Sequence, residues 1–206
     1  MKYGFIKTCA ATVQLKVADV QFNKLNIISA IKESVEKGSD LTVFSELCVS
    51  GYTCGDLFNQ TLLLNEVESA VKEIAQATKE SKTLVFIGVP IAVKNAIYNC
   101  AVALSNGKIL AIIPKTFIPN YCEFYELRNF AKAPKNSDYI DYAGQKGVYF
   151  GNKVLLKADN APNFSVGCEI CEDLWSPLSP SVNHTQAGAN VIVNLSCSDE
   201  TVGKAE

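Results

Sequence analysis

A thiol, a carboxylate and an amine that stand at comparable places in this chain form a candidate set for chemistry. Cys171 closes the apolar run of FSVGCEICEDLWSP, Phe164 to Pro177, just before the sequence turns polar at Glu172 and Asp173. Glu46 ends the run LTVFSEL, and Lys115 lies near the end of KILAIIPKTF. Each run is short and apolar, as buried strands are. In layered α/β folds, side chains at neighbouring strand ends converge on one cleft although they are far apart in sequence. In a partly dry pocket these groups form a set for acyl transfer. The carboxylate takes the thiol proton, the sulfur attacks a carbonyl carbon, and the ammonium holds the oxyanion and favours the thiolate. Taken singly, each residue has a plainer reading, because buried cysteines are commonly inert and charged residues at strand ends are commonly solvated.

The elements that must position these residues follow from the hydrophobic pattern. Residues 4–15 are strand-like, and from Asp19 to Lys37 the positions Leu25, Ile28, Ile31 and Val35 recur at helical spacing before the natural stop at Gly38. The strand ending at Glu46 leads into CVSGYTCGDLF, a glycine-bearing loop over the strand ends. A second helix over residues 61–80 places Leu64, Val67, Val71, Ile74 and Ala75 on one face. TLVFIGVPIAV, AIYNCAVALS and KILAIIPKTF then read as strands, with Asn106-Gly107 marking a hairpin between the last two. A short helix is expected around Glu123 to Phe130, and turn-formers dominate from Lys132 to Gly151. VLLKAD and FSVGCEIC supply further strands, SPSVNHTQAGA a helix and NVIVNLSCS a last strand. This order predicts an α/β layered fold with mixed sheets, as one domain over residues 1–206.

Bulk properties narrow the function classes. The chain has 206 residues, 48% of them apolar, and a formal net charge of −2 with no basic block. Mean hydropathy is +0.11, on the buried side for a water-exposed protein. Nucleic acid and anionic membrane are therefore not expected as partners. The longest apolar runs are strand-sized and MKYGFIKTC lacks a signal-peptide pattern, so a cytoplasmic location without a membrane span is the default expectation. Eight cysteines in such a chain are expected to be reduced. Cys168 and Cys171 form a C-x-x-C, but no second ligand pair at zinc-site spacing accompanies them, and His184 is the sole histidine. A thioredoxin-type motif should open a helix, whereas this pair ends a strand run. By strand alternation Cys168 points to the opposite face from Cys171 and reads as core.

FSELCVSGY, IPKTFIPNYCEFYELRNF and CEICEDLWSP, taken together and in this order, resemble the nitrilase superfamily over essentially the whole chain. More narrowly, SGY followed by DLF, PNYCEFYELRNF, EICEDLW and NLSCSDETVGK is similar to the N-terminal glutaminase domains of the glutamine-dependent NAD synthetases. The resemblance implies a four-layer α-β-β-α sandwich and glutamine as substrate. It makes Cys171 the nucleophile, Glu46 the general base and Lys115 the family lysine, with Glu126 as a second glutamate on the lysine side. It places glutamine near Tyr121, Glu172, Trp175 and Ser198, with Tyr52 and Phe124 as pocket walls. Glu172 suits an amino-acid ammonium group. Lys204 falls where relatives often carry arginine, and a lysine cannot make the planar bidentate pair with a carboxylate. From the residues alone, Trp175 can equally pack under the strand end and Tyr121 be an ordinary wall.

The same resemblance implies that the hydrolytic half needs no metal or organic cofactor. ATP and magnesium are expected only for a C-terminal synthetase domain, for which neither a glycine- and serine-rich pyrophosphate loop nor a G-x-x-x-x-G-K-[ST] is found here. The chain accordingly reads as a C-terminally truncated fragment that self-associates into a homo-oligomer through exposed sheet edges. Two other readings stay open at this level: a stand-alone carbon–nitrogen hydrolase acting on another small amide, and a non-catalytic assembly module.

Overall fold

The computed structural model describes residues 4–204. Strand β1 (Thr8–Ala11) leads to helix α1 (Val20–Glu36), β2 (Leu41–Phe44), helix α2 (Thr61–Ala77) and the long strands β3 (Leu84–Val93), β4 (Ala96–Ser105) and β5 (Lys108–Pro114). A hairpin of β6 (Asp138–Tyr142) and β7 (Gln145–Phe150) follows, then β8 (Leu156–Ala158), β9 (Ala161–Ile170), helix α3 (Pro180–Gln186) and β10 (Val191–Leu195). The strands form a 7-stranded sheet in the order β1-β2-β3-β4-β5-β7-β6 and a 3-stranded sheet in the order β10-β9-β8. Both are mixed: β1, β2 and β3 run parallel, β3, β4 and β5 antiparallel, and β9 pairs parallel with β10 but antiparallel with β8.

Alternation along the central strands builds two separate cores. Val85, Ile87, Val102, Leu104 and Ile112 meet Ile27, Ile31, Val67, Val71 and Ile74 of α1 and α2 on one face of the large sheet. On its other face Phe86, Ala101, Ala103, Ala111 and Ile113 meet Val166, Cys168, Ile170, Val193 and Leu195 of the small sheet. Strands covered on both faces read as continuous apolar runs, which is why β3 to β5 show no simple alternation in sequence. The outermost layer is α3, which sits on β9: Ser181 N–H donates to Glu169 Oε2 at 3.0 Å and His184 Nε2 lies 3.1 Å from Cys168 O. The order is thus helix, sheet, sheet, helix, as expected. Fully burying an aliphatic side chain such as Ile27 or Ile31 contributes about 1.5–3 kcal/mol.

Local signals account for most element ends. Asp19 caps α1 by accepting from Phe22 N–H at 3.0 Å. Asn106 and Gly107 both take positive φ, 50° and 75°, giving the tight β4–β5 hairpin. Some expectations need correction. Only Thr8–Ala11 of the first strand-like stretch is strand, and the helix around Glu123 to Phe130 is a single 3-10 turn, Glu126–Arg128. Leu25 is 64% exposed, while Lys24 is turned inward and pairs with Glu73 of α2 at 2.8 Å. The turn-rich segment contains the β6–β7 hairpin, whose corner is Ala143-Gly144 with φ of 51° and 79°.

Candidate active site

The loop after β2 carries Glu46. Its neighbour Leu47 takes a left-handed φ of 51°, and Gly51 N–H donates back to Leu47 O at 2.8 Å, so the chain turns sharply after the glutamate. This turn lies directly on β3. Val49 N–H donates to Gly88 O at 3.2 Å, and a Cβ at Gly88 would come 2.1 Å from Leu47 N, closer than any side chain permits. Lys115 follows β5 at once, its N–H donating to Asn99 O at 2.8 Å and its carbonyl accepting from Ala133 N–H at 2.9 Å. Cys171 follows β9 at once and has φ of 44°. For a residue with a Cβ, that conformation costs roughly 1–2 kcal/mol. Asn194 of β10 holds it there, Oδ1 accepting from Cys171 N–H at 3.1 Å and Nδ2 donating to Cys171 O at 3.4 Å.

The side chains from these strand ends converge. Lys115 Nζ donates to Glu46 Oε1 at 2.7 Å and to Glu126 Oε1 and Oε2 at 2.8 and 3.0 Å. Glu46 Oε1 also accepts from Asn99 Nδ2 at 2.7 Å, and Glu46 Oε2 accepts from Cys197 N–H at 3.2 Å. Tyr52 OH donates to Glu126 Oε1 at 2.7 Å. The Lys115 and Glu46 side chains are 0% exposed, so this is a charge cluster in a largely dry setting. Cys171 Sγ lies 3.9 Å from Cys197 O, in the same corner, close enough for the Glu46 charge to act on the thiol.

The electrostatics divide the roles a reaction would need. Burial raises the Glu46 pKa, and the nearby Glu126 adds to that, while Lys115 and Asn99 pull it down less strongly. Burial alone would lower Lys115, but Glu46 and Glu126 outweigh it and the net shift is upward, so the amine stays protonated. Its three N–H groups are matched by the three carboxylate oxygens it meets, so a further acceptor is reached by giving up one of the two Glu126 oxygens. Burial, then the Glu46 charge, pushes the Cys171 thiol up to about 11, with Lys115 opposing. The resting sulfur is therefore a thiol beside a base, not a free thiolate. Burial and Glu126 also raise Tyr52, which stays a neutral donor. In chemical terms the corner can move a proton from sulfur to carboxylate and offer an ammonium to developing negative charge.

The rim is more open. Tyr121 OH donates to Glu172 Oε2 at 2.8 Å, and the Tyr121 ring meets Phe124 edge-on at 5.8 Å. Lys204 Nζ donates to Ser198 Oγ at 2.8 Å and to the Asp199 carbonyl. Glu123 and Asp199 stand close enough on the rim to influence one another, which lowers the first carboxyl and raises the second. Trp175 ends the 3-10 turn Cys171–Trp175 and is 75% exposed, so it neither packs under the strand end nor joins the charge cluster. A cavity of about 390 Å³ reaches Tyr52 and Glu126 from the side of Phe58 and Arg128. Cys168 is buried between the sheets, apart from the Cys171 turn. Among the described residues no helix is long and apolar enough to cross a membrane.

Sequence reading brought Glu46, Lys115, Cys171, Glu126 and Tyr52 to one place, but it missed the groups that hold them: Gly88, Asn99, Asp173, Asn194 and the Cys197 N–H. Asn99 had a legible signal, since a lone amide inside the apolar run AIYNCAVALS must find a partner once buried. The others are defined by contacts between strands distant in sequence.

Comparison with known proteins identifies the family and the fold. The carbon–nitrogen hydrolase family description matches residues 9–206. A glutamine-dependent NAD(+) synthetase from Mycobacterium tuberculosis is 34% identical over 205 residues, covering 100% of this chain and 30% of that protein. The crystal structure of a glutamine-dependent NAD(+) synthetase from Cytophaga hutchinsonii superposes with a TM-score of 0.84 at 29% identity, over 97% of this chain and 32% of that one. An amidase from Nesterenkonia sp. shares the fold, with a TM-score of 0.69 at 17% identity over 95% of this chain and 67% of that one. The chain thus spans about 30% of the length of the curated synthetase it matches. A family match over nearly the whole chain, on a helix-sheet-sheet-helix frame, places it: the chain belongs to the carbon–nitrogen hydrolase family.

Proposed function

We propose that the chain is the glutamine-hydrolysing domain, residues 1–206, of a glutamine-dependent NAD synthetase. The observation that carries this reading is the Lys115 amine held between Glu46 and Glu126 beside a thiol on a left-handed turn. Glu46 accepts the Cys171 proton as the sulfur attacks the side-chain amide carbon of glutamine. The oxyanion is met by a Lys115 N–H that turns to it from the longer of the two bonds to Glu126. Collapse breaks the C–N bond, and the leaving nitrogen takes the proton from Glu46 to depart as ammonia. Glu46 then takes a proton from water, the hydroxide attacks the thioester carbon, and glutamate leaves as the proton returns to sulfur. Glu126, fixed by Tyr52, keeps Lys115 protonated and aimed.

Glutamine itself is held at the rim. Glu172 meets its ammonium group, with Tyr121 fixing the carboxylate and Phe124, Tyr52 and Trp175 forming walls. Ser198 and Lys204 meet its carboxylate, with Lys204 as a point charge. Ammonia passes to a synthetase domain of the parent protein, where ATP and magnesium serve the amidation of an adenylated nicotinic acid dinucleotide. The parent acts as a homo-oligomer in the cytoplasm; exposed Leu174, Trp175 and Leu178 beside the site, and cysteines that are all free, support this.

The test is mass spectrometry after treatment with a diazoketone analogue of glutamine. The expected result is one adduct at Cys171, absent in Cys171→Ala and slowed in Glu46→Ala. Labelling at another residue, or an unchanged rate in Glu46→Ala, overturns the assignment.

A further inference from the structure

The charge cluster draws its parts from two different sheets. Lys115 follows β5 of the large sheet, and Cys171 follows β9 of the small one. Ladder hydrogen bonds act within a sheet, and the contact between these sheets is built of apolar side chains such as Ala103, Ala111, Ile113, Val166 and Ile170. Apolar contact is non-directional, so it leaves the offset of one sheet against the other loosely specified. The thiol-to-amine distance needs a directional tie across the seam.

Asp173 supplies one. It is 1% exposed and stands inside the turn that begins at Cys171. Its Oδ1 accepts from Phe117 N–H at 2.7 Å and Thr116 N–H at 3.0 Å, on the residues directly after Lys115. Its Oδ2 accepts from Ile170 N–H at 3.0 Å, directly before Cys171, with Thr116 N–H at 3.3 Å. One carboxylate therefore caps the turn carrying the nucleophile and grips the strand end carrying the lysine. We propose that Asp173 is a positioning residue that fixes the separation of Lys115 and Cys171 by fastening the two strand ends together. This deepens the hydrolase reading above and rests on it for the catalytic consequence alone; the fastening itself is independent of the substrate.

Asp173→Asn is the informative change, because it keeps the shape and removes one acceptor. An amide offers a single oxygen, and its NH₂ opposes an N–H, so either the cap at Ile170 or the grip on Thr116 and Phe117 is given up. Two measurements separate positioning from simple destabilisation. The first is the rate of Cys171 alkylation by iodoacetamide against pH. With Lys115 less well placed to oppose the rise in thiol pKa, the midpoint moves upward in Asp173→Asn by about half a unit or more. The second is glutamine hydrolysis, where kcat falls by about 100-fold with KM little changed, the scale for a misplacement near 1 Å. Cys168→Ala, which opens the same seam without touching a strand end, is the control and keeps the wild-type alkylation midpoint. An unmoved midpoint in Asp173→Asn, or an equal shift in Cys168→Ala, overturns the proposal. If wild type hydrolyses no glutamine yet the midpoint moves only in Asp173→Asn, the fastening stands and the glutaminase reading fails.

Discussion

Gly88→Ala tests how the fold places the base, at a residue that never meets substrate. A methyl group there would lie 2.1 Å from Leu47 N, 2.6 Å from Ser45 O and 2.7 Å from Glu46 C, where ordinary contact begins at 3.4 Å. All three are backbone atoms, so no rotamer change relieves the clash. The segment bearing Glu46 must retreat by about 1 Å, or β3 must bow by as much, at a cost of about 1–3 kcal/mol in stability. A retreat of that size stretches the 2.7 Å bonds of Glu46 to Lys115 and Asn99 beyond hydrogen-bonding range. Hydrolysis of glutamine, followed by ammonia release, should then fall by about 100-fold. Urea unfolding measures the stability loss separately. Gly107→Ala provides the comparison, because it strains a positive-φ hairpin remote from the site and should lower stability while sparing turnover. The reasoning is refuted if folded Gly88→Ala turns over within about twofold of wild type, or if Gly107→Ala loses as much activity at equal stability.

Two further outcomes follow from the site. Cys171→Gly and Cys171→Ala should both be inactive, but the glycine variant should be more stable by roughly 1 kcal/mol in urea unfolding, because only glycine takes φ of 44° without strain. Burial raises the Glu46 pKa above its ordinary 4.5, so the native state holds that proton more tightly than the unfolded chain. The base form, and with it hydrolysis, should therefore be lost as pH falls through a midpoint above 4.5, while that proton's contribution to stability is lost as pH rises through the same range. A pH–rate profile of kcat/KM shows the limb, and Glu46→Gln should remove it along with about 10²–10⁴-fold of the rate.

What the sequence disclosed and what it concealed differ by the range of the interaction. Cys171, Glu46 and Lys115 were legible because each terminates an apolar run, and a strand end is written in adjacent residues. The same holds for the Asn106-Gly107 hairpin. The Ala143-Gly144 corner escaped because alanine gives no sign that it will take a positive φ. Leu25 was assigned inward by periodicity alone, but the α1–α2 contact is made partly by the Lys24–Glu73 pair, so the helix is rotated from its purely apolar face. Glu126 and Tyr52 were found only through resemblance to relatives, since nothing local marks an acidic residue on a short 3-10 turn as buried.

The residues concealed most completely are those that act across the seam between the sheets. Glu46 ties the large sheet to the end of β10 through Cys197 N–H, and Asp173 ties the end of β9 back to the large sheet through Thr116 and Phe117. These two carboxylates lie at the same end of the seam and cross it in opposite senses. Each is 2% exposed or less, a costly place for a charge unless backbone donors or an ammonium meet it. An apolar pair of sheets would hold together without them but would be free to settle at several offsets. The cost of burying these charges goes with the selection of one offset, the one that brings Cys171, Glu46 and Lys115 into one corner. On this view Glu46, the proposed base, is also a structural bolt, which is why removing its charge and moving its backbone are expected to damage the site by different routes.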